Sequence, residues 1–184
     1  ARAPGVRLAA GHLSATRVLA LSLVVLACAA RLVILDADPD YYGWITHMYD
    51  EGRWVEHARS LAQQGRLLEG GDYYHLMLGS LFQLASYISF VGLGVSRIAA
   101  RLFPAICGGI LIAFLWSVLR RSAGELGALA GVAIVAFQAD MVVFSRLALP
   151  YIPAVLIQLL VLAVLTARAP SWKRCLAAGV LATL

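Results

Sequence analysis

The sequence predicts an all-α fold, a polytopic transmembrane helix bundle with amphipathic juxtamembrane helices in its first external loop. Three observations carry this. First, 61% of the 184 residues are hydrophobic and 14% are charged, with a mean hydropathy of +0.82; soluble domains are nearer half apolar and a quarter charged. Second, apolar runs recur at lengths that reach across a hydrocarbon core of about 30 Å at about 1.5 Å per helical residue. Third, charges collect between the runs, and eight of the ten acids fall within Asp36–Asp72.

Taken in order, residues 1–17 carry Arg2, Arg7 and Arg17 and no acid. Val18–Leu35 is the first apolar run, broken by Arg31 near its far end, where a long stem can extend toward the headgroups. The acidic stretch follows. Four further runs are Leu76–Ser96, Leu102–Leu119, Leu126–Phe144 and Leu147–Ala167, and another begins at Cys175. A chain that starts without methionine and stops inside an apolar run is expected to be the N-terminal part of a longer one. Residues 1–184 read as one transmembrane domain. Cys28, Cys107 and Cys175 sit in apolar runs without metal-ligand or disulfide spacing and read as small buried hydrophobes.

The basic residues decide the topology. If Leu76–Ser96 crosses the membrane, Arg120 and Arg121 share a side with the acidic loop. If it lies along the interface, the N-terminal arginines, Arg120–Arg121 and the Arg168/Lys173/Arg174 cluster fall on one face and the acids on the other. The positive-inside rule selects the second arrangement, and the Ser, Gln, Gly and Tyr content of the segment suits an interfacial helix. Spans are therefore expected at about 18–35, 102–119, 126–144, 147–167 and 175–184. The N-terminus is cytoplasmic and residues 36–96 lie outside an inner or plasma membrane. Pro104 is expected in the first turn of the second span, where a missing N–H costs least. Gly127 and Gly131 give the third span a thin face for helix packing.

Within the external loop, Trp54, Val55, Ala58, Leu61 and Ala62 make a helical stripe at offsets 0, 1, 4, 7 and 8. Asp50 is placed to cap this helix and Gly65 to end it. The helix is expected to lie on the bilayer surface, presenting Asp50 and Glu51 toward the bundle. From the residues alone, an N-cap accounts for Asp50.

Asp50-Glu51-Gly-Arg53-Trp54-Val-Glu56 opening an amphipathic helix after a first span resembles the GT-C superfamily of membrane glycosyltransferases. Arg101-Leu-Phe-Pro104-Ala-Ile-Cys-Gly108 and Phe144-Ser-Arg146-Leu-Ala-Leu-Pro150 are similar to two further motifs of that family, in the same order. The nearest groups are the lipid A aminoarabinose transferases and the protein O-mannosyltransferases. The resemblance implies a sugar donor on a polyprenyl phosphate and a lipid, glycan or protein acceptor, with no nucleic acid involved. It implies Asp50 as catalytic base, with Glu51, Arg53, His75, Arg97 and Arg101 as substrate contacts and Arg97 and Arg101 as candidates to stabilise the leaving phosphate. Without the resemblance, headgroup anchoring accounts for Arg97, and a functionless surface position accounts for His75.

The family admits a divalent metal, but Tyr151 stands where relatives carry an aspartate after the proline, which puts a second acidic site in doubt. Asp140 in the third span is a functional candidate as an intramembrane acid, or a partner for Arg146. Two rival readings stand beside the transferase: a transporter or flippase, and a membrane subunit without catalysis. Transporters place ionisable residues near mid-bilayer, whereas here the polar residues gather in one loop.

Overall fold

The computed structural model describes residues 15–36, 51–67 and 73–166, with residues 173, 176 and 178–180 beyond them. Every regular element among these is helical, so the expected all-α class is observed. The helices are α1 (Ala15–Leu32), α2 (Glu56–Gln64), α3 (Tyr73–Leu78), α4 (Ser80–Leu93), α5 (Arg97–Phe137), α6 (Ala139–Arg146) and α7 (Tyr151–Thr166). By themselves α1 and α5 are long and apolar enough to cross a membrane; α6 and α7 pass the same test only together, and they meet at 109°.

The long α5 is a hairpin of two arms. Gly124 breaks it at φ 73° and ψ −179°, a region essentially closed to residues with a Cβ. Residues 125–137 then fold back on residues 97–123. A Cβ on Gly131 would lie 2.9 Å from Leu119 Cδ1, and one on Gly127 would lie 2.8 Å from Ala123 Cβ. The thin face expected at these glycines is therefore used within the hairpin. Ile112, Val132 and Ala136 close the contact, with Ala27 of α1 packed into it. At the hairpin's bend, Arg17 meets Glu125 at 2.9 Å, which places the start of α1 beside Gly124.

Several boundaries differ from the expected ones: α1 covers Ala15–Leu32 against 18–35, and α7 begins at Tyr151 and not at 147. The second span begins at Arg97, where the Ser96 hydroxyl accepts from the Ala99 N–H at 3.2 Å. A side-chain cap nucleates the helix earlier than hydropathy does, so Pro104 lies inside α5 and not in its first turn. The third span is divided at Gln138, with ψ of 127°, into the second arm of α5 and the short α6.

The segment expected at the interface forms α3 and α4. With 14 residues, α4 extends roughly 21 Å, short of a hydrocarbon core of about 30 Å. Helix α2 ends as expected: Gly65 adopts φ 68° and donates its N–H to the Leu61 carbonyl at 3.0 Å. Its apolar stripe is placed differently. Trp54, Val55 and Ala58 are buried against Phe82, Phe90, Leu147 and Leu149. Protein covers the stripe that was expected to rest on lipid, because α4 and the 147–150 turn present apolar side chains to it.

Candidate functional site

The last turn of α1 leaves backbone carbonyls without intrahelical partners, as every helix end does. Arginines from two other helices take one of these, at Ala30, and the carbonyls of the turn at residues 33–36 that follows the helix. Arg146 Nη1 donates to the carbonyls of Ala30 at 2.7 Å and Val33 at 2.9 Å, and its Nη2 donates to Ile34 at 2.8 Å. Arg101 Nη1 donates to Leu35 at 2.7 Å, and Arg97 Nη1 to Asp36 at 3.3 Å. Cations suit the negative end of a helix, and the planar guanidinium can serve several carbonyls at once. Ile34 is held at φ 54°, rare for a β-branched residue.

Above this end sits Glu51, in the helical turn of residues 51–54. Arg101 Nε and Nη2 grip its carboxylate side-on, at 2.9 Å to Oε1 and 2.7 Å to Oε2. The Arg101 side chain is 2% exposed and that of Glu51 17%. Glu51 Oε1 also accepts the backbone N–H of Ala148. One ion pair thus joins the loop helix, the end of α1, the start of α5 and the turn between α6 and α7.

Trp54, three residues on, meets His75 edge-on with ring centroids 4.6 Å apart, and Tyr74 meets the same imidazole at 5.5 Å. His57 stacks on Tyr73 at 5.4 Å. A Cβ on Gly79 would lie 2.9 Å from the Trp54 ring, so the glycine admits the indole between α3 and α4.

Several expected placements change. Asp50 lies outside the described residues. Glu51 and Arg101 come together as partners of each other, which gives both a structural task. His75 is 8% exposed, not a surface residue, because Trp54 and Tyr74 enclose it. Arg53 and Arg97 are exposed. Asp140 is exposed at the start of α6 and does not pair with Arg146, whose guanidinium is turned toward α1. Among the described residues, no three His, Cys, Asp or Glu side chains gather as a metal-ligand group.

One feature went unread in the sequence: Arg146 crosses more than a hundred residues to reach the end of α1, and backbone acceptors leave no pattern in a sequence. Arg31, expected to extend toward the headgroups, is instead 1% exposed, with Nη1 donating to Ala27 at 2.9 Å and its stem lying on Gly108. The pair Gly108–Gly109 was the available signal: a Cβ at the first would lie 2.9 Å from Arg31 Cδ, and at the second 2.9 Å from Cys28 Sγ.

The fold defines an all-α membrane helix bundle. No protein family, curated protein or solved structure matches the chain.

Proposed function

We propose that the chain is part of a glycosyltransferase that moves a sugar from a polyprenyl-phosphate carrier to an acceptor at the external membrane face. The observation that carries the reading is the side-on Glu51–Arg101 pair. It fixes the helical turn of residues 51–54 to the start of α5, where Arg97 also lies; Asp50, which precedes Glu51 in sequence, is proposed to act beside it. In this reading Asp50 takes the proton of the acceptor hydroxyl. The acceptor oxygen attacks the anomeric carbon from the face opposite the phosphate, and the bond from carbon to phosphate oxygen breaks with inversion. The polyprenyl phosphate leaves with the electron pair, facing the exposed Arg97, since positive charge placed where negative charge develops lowers the barrier. Glu51 and Arg101 hold this arrangement without touching substrate.

The orientation belongs to the same proposal. The start of α1 and the Gly124 bend face the cytoplasm of an inner or plasma membrane, and the Glu51–Arg101 end faces outward. The positive-inside rule supports it, because Arg120 and Arg121 flank the bend.

The test uses the full-length protein reconstituted with a polyprenyl-phosphate sugar and an acceptor. Asp50→Asn is expected to lower transfer by about 10²–10⁴-fold, the usual contribution of a positioned base, with membrane insertion unchanged. Undiminished transfer removes Asp50 from the mechanism.

A further inference from the structure

Along the first arm of α5, Arg101 and Arg120 are 19 residues apart, roughly 29 Å at about 1.5 Å per residue. That is the thickness of a hydrocarbon core, and the run between them, Leu102–Leu119, holds no charge. With Arg101 at one boundary of the bilayer, Arg120 and Arg121 stand at the other, at the depth of the headgroups. The two ends satisfy their arginines differently. Arg101 is held by Glu51 and the Leu35 carbonyl. Arg120 and Arg121 are exposed beside the Gly124 bend, and no described residue pairs with either. Glu125 is the one acid in residues 97–137, and Arg17 already holds it at 2.9 Å. Three arginines thus share one glutamate at the bend, which leaves two positive charges over. Val118 on one arm and Leu126 on the other are exposed apolar residues that keep this end in lipid.

We propose that the Gly124 bend is a docking surface for the headgroups of anionic phospholipids. The sign of the partner follows from the uncompensated charge. A guanidinium donates charge-assisted hydrogen bonds to phosphate oxygens, whereas a zwitterionic headgroup brings a cation of its own that offsets the attraction. The number of partners follows from the helix. Successive residues diverge by about 100°, so Arg120 and Arg121 reach separate headgroups and do not converge on one anion. That arrangement fits a charged surface and not a discrete site for free phosphate. An arginine beside an anionic leaflet contributes about five-fold in affinity. Only the span formed by α5 is required, not the transferase reading.

The experiment titrates the full-length protein in mild detergent with phosphatidylglycerol, phosphatidylcholine or inorganic phosphate, and counts bound molecules by native mass spectrometry. Phosphatidylglycerol should bind more tightly than phosphatidylcholine, by a margin that shrinks as salt rises. Arg120→Gln and Arg121→Gln should each lower that preference about five-fold, and the double variant roughly 25-fold. Glu125→Gln, which releases Arg17, should raise it. Equal affinity for the two lipids, a preference that survives the double variant, a fall in Glu125→Gln, or displacement of the lipid by equimolar inorganic phosphate would overturn the assignment. If the double variant does not fold, Glu125→Gln decides, since it breaks only a half-exposed pair.

Discussion

Cutting the Glu51–Arg101 pair from either side should have unequal costs. In Glu51→Gln the guanidinium of Arg101, 2% exposed, keeps its charge and loses the Glu51 carboxylate. Breaking a buried pair this way costs about 3–5 kcal/mol. In Arg101→Met the orphan is Glu51, 17% exposed and still accepting from Ala148. Water reaches it, and with the lost bond to Leu35 the cost is about 2–3 kcal/mol. The double variant strands no charge, so its cost should fall below the sum of the two by at least about 2 kcal/mol. Reversible unfolding in bicelles, followed for all four proteins, measures the coupling. Costs that add within about 0.5 kcal/mol would show that the two groups do not depend on each other, and the clasp would have to be abandoned.

Other expectations follow from the same geometry. Gly124→Ala forces a Cβ into φ 73° and ψ −179° and should cost about 1–3 kcal/mol, read as a lower melting temperature. Gly108→Ala places a Cβ 2.7 Å from Ser145 Cβ and 2.9 Å from Arg31 Cδ; overpacking of this kind costs about 1–3 kcal/mol. Gly131→Ala, which meets only the far end of Leu119, should cost less in the same assay. Glu125→Gln breaks an ion pair whose side chains are 54% and 33% exposed, and should shift stability by less than about 1 kcal/mol. Ile34→Gly relieves φ 54° and should raise the melting temperature, since a left-handed conformation costs a residue with a Cβ about 1–2 kcal/mol.

Local signals in the sequence translated well into local structure. Gly65 ends α2 in the left-handed conformation because a glycine there has no Cβ to clash, and that depends on neighbouring residues alone. The run Arg120–Gly127 reads as a turn, and the chain reverses within it at Gly124. Periodicity identified the Trp54 stripe but could not say whether lipid or protein covers it, because both are apolar partners. Hydropathy also placed the second span too late, since it does not see the Ser96 cap.

The candidate site was legible residue by residue and not as an arrangement. Glu51 and Arg101 were each singled out, fifty positions apart, yet nothing in either motif says that one satisfies the other. His75 was read as a surface residue, while its enclosure is made by Trp54 from a separate helical turn. Both failures have one cause: pairing across the fold is set by tertiary geometry, which a linear pattern does not encode.

Docking of α1 through its carbonyls has a consequence for how this protein can vary. A main-chain oxygen is the same whatever side chain follows it, so positions 33 and 34, whose side chains point away from the bundle, are at liberty to drift. For the carbonyls of residues 30 and 33–35 the burden of specificity falls on the donors Arg101 and Arg146. Among descendants of this gene, those two positions should hold still while the peptide they grasp changes its spelling freely.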